Sequence, residues 1–115
     1  MSEANTPLVS VVIATYNRAG LLPETLDSVL HQTFEAFEVI VVDDGSTDDT
    51  RKVVRSYGDR IQYLYQENHG PSAARNLGVR YSRAPWISFQ DSDDLCARNH
   101  LRTLYDYARD HEDMV

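Results

Sequence analysis

Residues 8–14, LVSVVIA, and 37–42, FEVIVV, are two nearly unbroken runs rich in β-branched side chains. They lack the polar alternation of a strand with one wet face, so they read as strands of a parallel sheet buried on both sides. Between them Leu22, Leu26, Val29 and Leu30 recur at helical spacing, and Pro23 is tolerated because it falls in the first turn. This is a strand–helix–strand unit. The next stretch, STDDTRKVVRSYG, opens with small polar and acidic residues suited to a helix start and stops at Gly58. Residues 61–66 alternate, with Ile61, Tyr63 and Tyr65 on one side, which predicts a third strand nearer the sheet edge. Pro71 starts a helix carrying Ala73, Ala74, Leu77 and Tyr81, Trp86 to Phe89 is a fourth short strand, and Leu101, Leu104, Tyr105 and Ala108 mark a last helix.

Four alternations of strand and helix predict the α/β class: a Rossmann-like, mostly parallel, doubly wound sheet. At 115 residues, 42% hydrophobic, the chain is expected to be one domain over 1–115 with a single core. It stops directly after the last helix, where sheets of this class commonly carry more strands, so part of a larger unit is expected. The bare side of the fourth strand makes a homo-oligomer an expected partner state. A net charge of -7 argues against nucleic acid, whose phosphates call for clustered Lys and Arg. No apolar run approaches the roughly 20 residues of a membrane-spanning helix. The opening MSEANTP has no secretory pattern, and the lone Cys96 has no internal disulfide partner. A cytoplasmic protein is expected, which segments beyond this chain could hold at the inner face of a membrane.

In open parallel sheets ligands bind beyond the carboxyl ends of the strands. Here the first strand exits into Thr15-Tyr16-Asn17-Arg18, the second into Asp43-Asp44-Gly45-Ser46, and the fourth into Asp91-Ser92-Asp93-Asp94. Five carboxylates at one sheet edge repel one another unless a cation or hydrogen-bond donors sit among them. Asp91 with Asp93 or Asp94 offers hard oxygen ligands to one Mg²⁺ or Mn²⁺. The competing reading is that these acids cap the last helix. Asp43 and Asp44 suit a ribose or a base; alternatively their loop turns at Gly45 and caps the next helix through Ser46 or Thr47. Arg75, in GPSAARN, is a candidate for meeting a nucleotide or diphosphate, and Tyr16 for stacking on a base, against the plainer readings of a solvated arginine and a half-buried tyrosine. His31 and His69 are read as ordinary surface or core histidines.

Three segments taken together, VSVVIATYNRAGLLPETLDSVLHQTFEAFEVIVVDDGSTDDT, NHGPSAARNLGV and WISFQDSDD, closely resemble the nucleotide-binding half of family 2 glycosyltransferases, which have the GT-A fold. The resemblance implies an inverting transfer of a sugar from a nucleotide-diphosphate sugar, most often a UDP-sugar, to a saccharide or lipid-linked acceptor, as in cell wall or polysaccharide biosynthesis. Mg²⁺ or Mn²⁺ would assist. It implies that Ala14, Thr15 and Tyr16 line the nucleoside pocket, that Asp44 with Asp43 beside it contacts the base, and that Arg75 lies near the nucleotide. Asp91, Asp93 and Asp94 would form the acidic metal and ribose motif.

The family's catalytic base is a carboxylate in the acceptor-binding half, expected beyond residue 115. Asp106, Asp110, Glu112 and Asp113 sit on or after an amphipathic helix and read as a solvated face. A phosphoacceptor signalling domain fails on the placement of its acids, since here they follow the second and fourth strands. A P-loop is excluded by the absence of G-x-x-x-x-G-K, and a dinucleotide oxidoreductase by the absence of G-x-G-x-x-G. The remaining alternative is a module that binds nucleotide sugar, or associates with other chains, without transfer.

Overall fold

The computed structural model describes residues 6–110. Four parallel strands, β1 (Val9–Thr15), β2 (Phe37–Asp44), β3 (Gln62–Gln66) and β4 (Trp86–Phe89), lie in the order β3-β2-β1-β4. Helices α1 (Leu22–Leu30), α2 (Thr50–Arg55), α3 (Pro71–Tyr81) and α4 (His100–Asp110) alternate with them. Each strand and helix predicted from the sequence is present, and β3 is the edge strand that its alternation suggested.

The period of two along β1 and β2 divides the core into two layers. Val9, Val11, Ile13, Val39 and Val41 pack with Leu22, Leu26 and Val29 of α1, Val54 of α2 and Leu101 of α4. On the other face Ile40 and Val42 meet Ala74 and Leu77 of α3. Full burial of such side chains contributes roughly 1.5–3 kcal/mol each. The six-residue α2 has no side-chain cap and is too short to persist alone, so the sheet holds it. Gly78 lets α3 come close to the sheet: a Cβ there would collide with Val12 Cγ1 and lie 3.3 Å from Val42 Cγ2.

Two local expectations are corrected. Helix α2 begins only at Thr50, so Ser46 and Thr47 do not cap it. Helix α4 begins at His100, so Asp91 to Asp94 lie too early in the chain to cap it. Among the described residues no helix is long and apolar enough to cross a membrane. The acids Glu112 and Asp113 lie outside the described residues.

Candidate functional site

Strands β2 and β3 lie to one side of β1 and β4 to the other, so the chain changes direction across the sheet between β1 and β4. Side chains beyond the carboxyl ends of strands flanking such a point have no crossover above them, and a crevice forms there. A cleft of about 350 Å³ opens at this position. Its wall includes Ala14, Thr15 and Tyr16 from the end of β1, Asp44 from the end of β2, Ser92 after β4, and Pro71 at the start of α3. Four of the residues singled out in the sequence therefore share one wall.

Asp43 does not share it. Neighbouring residues on a strand project to opposite faces, and the buried Asp43 carboxylate accepts the Ser46 amide at 2.9 Å and the Tyr63 hydroxyl at 2.6 Å. Burial together with this bond to Asp43 pushes the Tyr63 hydroxyl up to about 12. Asp43 supports the turn, while Asp44 faces the cleft. Arg75 is half-buried one turn into α3, outside the cleft wall, with no ion pair among the described residues.

The Asp44 carboxylate accepts three hydrogen bonds: Gln66 Nε2 at 2.8 Å, the His69 amide at 2.8 Å and the Gly70 amide at 3.0 Å. Burial works against its charge, but these donors outweigh that effect and hold its carboxyl below the usual range. The same bonds anchor the turn that opens α3. Gly45, at φ +85°, passes so close to this turn that a Cβ would lie 2.8 Å from the Asn68 nitrogen.

The loops after β1 and β2 clasp each other. Asn17, in the left-handed region at φ 52°, donates its amide to Ser46 Oγ at 2.8 Å. Its side-chain oxygen accepts the amides of Thr47 at 2.8 Å and Asp48 at 3.3 Å. Asp48 in turn accepts the Ala19 and Thr50 amides. Hydrogen bonds from the Thr50 hydroxyl and these amides lower its carboxyl against the opposing effect of burial. Arg18 is thus carried on backbone fixed on both sides, and it too lines the cleft.

Oxygen atoms of Asp91, Asp93 and Asp94 lie within 4.8 Å of one another, all three residues being exposed. This all-oxygen donor set fits a hard divalent cation such as Mg²⁺ or Mn²⁺. The loop bearing it is tied to α1, where the Thr25 hydroxyl donates to the Ser92 carbonyl at 3.0 Å. Further along the same helix Ser28 Oγ accepts the Cys96 amide, and just past the helix end Gln32 accepts the Leu101 amide and donates to the Ala97 carbonyl. Arg18 reaches the cluster from the opposite loop, with its guanidinium 3.9 Å from Asp93 Oδ2.

Sequence reasoning missed Arg18, Asn17, Asp48, Gln66, the α1 pair Thr25 and Ser28, and Gln32 just past that helix. The pair had a signal, since Thr25 and Ser28 lie three residues apart on one face of α1. Arg18 sat in plain view in the first strand exit.

The family described as "Glycosyl transferase family 2" matches residues 10–115, nearly the whole chain. The chain belongs to glycosyltransferase family 2. Among curated relatives of this family 2 chain, validoxylamine A glucosyltransferase of Streptomyces hygroscopicus subsp. jinggangensis is 49% identical over 109 residues, covering 90% of this chain and 26% of that protein. S. aureus TarS 1–349, solved in complex with UDP, superposes with a TM-score of 0.84 at 32% identity over 91% of this chain and 33% of that one. A mannosyltransferase from Pyrobaculum calidifontis, solved with GDP-Man and Mn²⁺, has a TM-score of 0.78 at 31% identity over 90% of this chain and 32% of that one. The expected GT-A architecture is borne out, as a part of these larger folds. The chain spans 14–34% of the length of the curated relatives it matches.

Proposed function

We propose that this family 2 chain binds a nucleoside-diphosphate sugar in the cleft at the ends of β1 and β2 and supplies the donor side of an inverting sugar transfer, with Mg²⁺ or Mn²⁺ held by Asp91, Asp93 and Asp94. The observation that carries this reading is the convergence of Tyr16, Asp44 and Arg18 on one cleft beside that carboxylate cluster. Relatives solved with UDP and with GDP-Man and Mn²⁺ support it.

Tyr16, 46% exposed at the rim, offers an aromatic face for a base. A carboxylate has about four acceptor positions, and Asp44 uses three on its own chain. The fourth suits a ring N–H donor, which uracil and guanine present and cytosine does not; of the two, the resemblance to the family favours uracil, so a UDP-sugar is the donor proposed. When bound, the metal ion would neutralise the negative charge that develops on the diphosphate as the sugar departs. Arg75, on the helix that opens at the cleft, is assigned to the nucleotide side.

We assign no base to this chain. Asp106 and Asp110 each lie 3.7 Å from Arg109 on α4, as a solvated helix face would. The alternative is a module that binds nucleotide sugar without transferring it. The acceptor is a saccharide or lipid-linked hydroxyl, and a cytoplasmic setting goes with a nucleotide-sugar donor.

Titration calorimetry with UDP and CDP, with and without Mn²⁺, tests the reading. UDP is expected to bind more tightly than CDP, and more tightly again with Mn²⁺. A protein that binds neither nucleotide would overturn the proposal, and acceptor-dependent release of UDP from a UDP-sugar separates the enzyme from the binding module.

A further inference from the structure

A diphosphate brings two or more negative charges to a molecule of net charge -7, and the three exposed aspartates on the loop that gives Ser92 to the cleft wall repel it. The divalent ion offsets part of that repulsion. Among the residues lining the cleft, Arg18 is the cationic side chain. Its backbone position is fixed: its amide donates to Thr50 Oγ1 at 3.3 Å, its carbonyl accepts the Leu21 and Leu22 amides, and Asn17 and Ala19 on either side are bonded to the 46–48 loop. Its guanidinium, by contrast, is held loosely. The contact with Asp93 is 3.9 Å long with both side chains 46% exposed, a geometry that adds little stability.

Two other features of the same wall point to an anion or polar group between them. Thr15 Oγ1 is buried without a hydrogen-bond partner among the described residues, in a residue only 3% exposed. The same lining includes Pro71, where the eleven-residue α3 opens with no side-chain cap beyond the Asp44 bonds to the preceding His69 and Gly70 amides, so the positive end of its dipole borders the cleft. A rigidly carried, loosely paired arginine that lines the same cleft as these groups is suited to a phosphate contact, for which the planar guanidinium fork is well matched.

We infer that Arg18 is the diphosphate-contacting residue of this cleft, and that it exchanges Asp93 for phosphate when the nucleotide enters. The inference rests on the nucleotide reading above and adds a residue and a direction to it. While paired with Asp93, Arg18 also places a positive charge beside a metal-cluster carboxylate, so it opposes metal binding in the absence of nucleotide. Once it turns to phosphate, Asp93 is released to the ion. Metal and diphosphate then favour each other through one side chain as well as through direct ligation.

The test compares the protein with Arg18→Gln and Arg18→Lys. UDP affinity measured in a chelator should fall about tenfold or more in Arg18→Gln, the loss of one charge-assisted hydrogen bond. Uridine affinity, followed by NMR shifts, should stay within about twofold, because the nucleoside makes no phosphate contact. Mn²⁺ alone should bind more tightly to Arg18→Gln, and Arg18→Lys should recover part of the UDP affinity. Opposite signs for UDP and Mn²⁺ cannot come from a misfolded variant, which would lose both. Unchanged UDP affinity, or UDP and uridine falling together, would overturn the phosphate role; Mn²⁺ binding unchanged or weaker would overturn the exchange with Asp93. A parent protein that binds neither uridine nor UDP would instead overturn the nucleotide reading on which the inference stands.

Discussion

Thr15 ends β1 with a hydroxyl that finds no partner among the described residues. A buried, unsatisfied polar group costs about 1–3 kcal/mol relative to one that is bonded or removed. Thr15→Val keeps the shape, so it should leave stability unchanged or raise it by about 1 kcal/mol while weakening UDP binding. Urea denaturation beside calorimetry reads both; a loss of stability with intact binding would mean the hydroxyl serves the fold. Asp44 behaves in the reverse way. From sequence it is a charged acceptor at a strand end whose replacement by Asn removes no core volume. Three hydrogen bonds to Gln66, His69 and Gly70 make it the anchor of the α3 turn as well. An amide turns one acceptor into a donor that confronts those N–H groups, so Asp44→Asn should lose about 1–3 kcal/mol of stability along with nucleotide affinity. Faster hydrogen exchange at His69 and Gly70 would report the loosened turn, and unchanged exchange would show that the loop stands without it.

The elements themselves were readable because their signals are local: β-branched runs for the sheet centre, helical spacing for α1, α3 and α4, and Pro71 at the start of α3. What could not be read was partnership across distant segments. Asn17 with the 46–48 loop, or Thr25 with Ser92, depends on which loops meet, and no spacing in the chain encodes that. Gly78 is such a contact between elements. Replacing it with Ala gains about 1 kcal/mol of helix propensity but drives a methyl into the stiff, fully buried Val12. A net loss of about 1–2 kcal/mol is expected, read as a lower urea midpoint, and Val12→Ala in the same chain should relieve part of it. Glu38, at the start of β2, joins Ser10 of β1 to Arg83 ahead of β4. Burial opposes its charge, yet hydrogen bonds from Ser10 and Arg83 and the Arg83 charge outweigh this and lower its carboxyl from 4.5. A lowered carboxyl adds stability above its unfolded value and loses it as pH falls through the folded one. Asp44 and Asp48 shift the same way from 3.8. Stability should therefore decline as the pH falls below about 4.5, and Glu38→Gln should flatten the upper part of that decline in pH-dependent urea titrations.

At the scale of the whole molecule, the acidic balance makes the carboxylate cluster the point where charge must be resolved. With Asp93 and Asp94 both replaced by Ala, the increase in UDP affinity caused by Mn²⁺ should disappear while uridine still binds, because phosphate oxygens and the aspartates ligate one ion. Persistent Mn²⁺ dependence in calorimetry would put the ion elsewhere. The strand order has a consequence of another kind. Strand β1 lies inside the sheet, with β2 on one side and β4 on the other, and residues 9–12 pair with residues 86–89. On a ribosome β1 therefore emerges before β4 and waits for some seventy more residues before its second ladder can close, at about 5–20 residues per second. For those seconds the most apolar strand of the chain has one unpaired edge, open to any other strand that comes near. Closure of the β1–β4 ladder spans more of the sequence than either of the other two strand pairings, and the rim that carries the acidic cluster follows β4 directly.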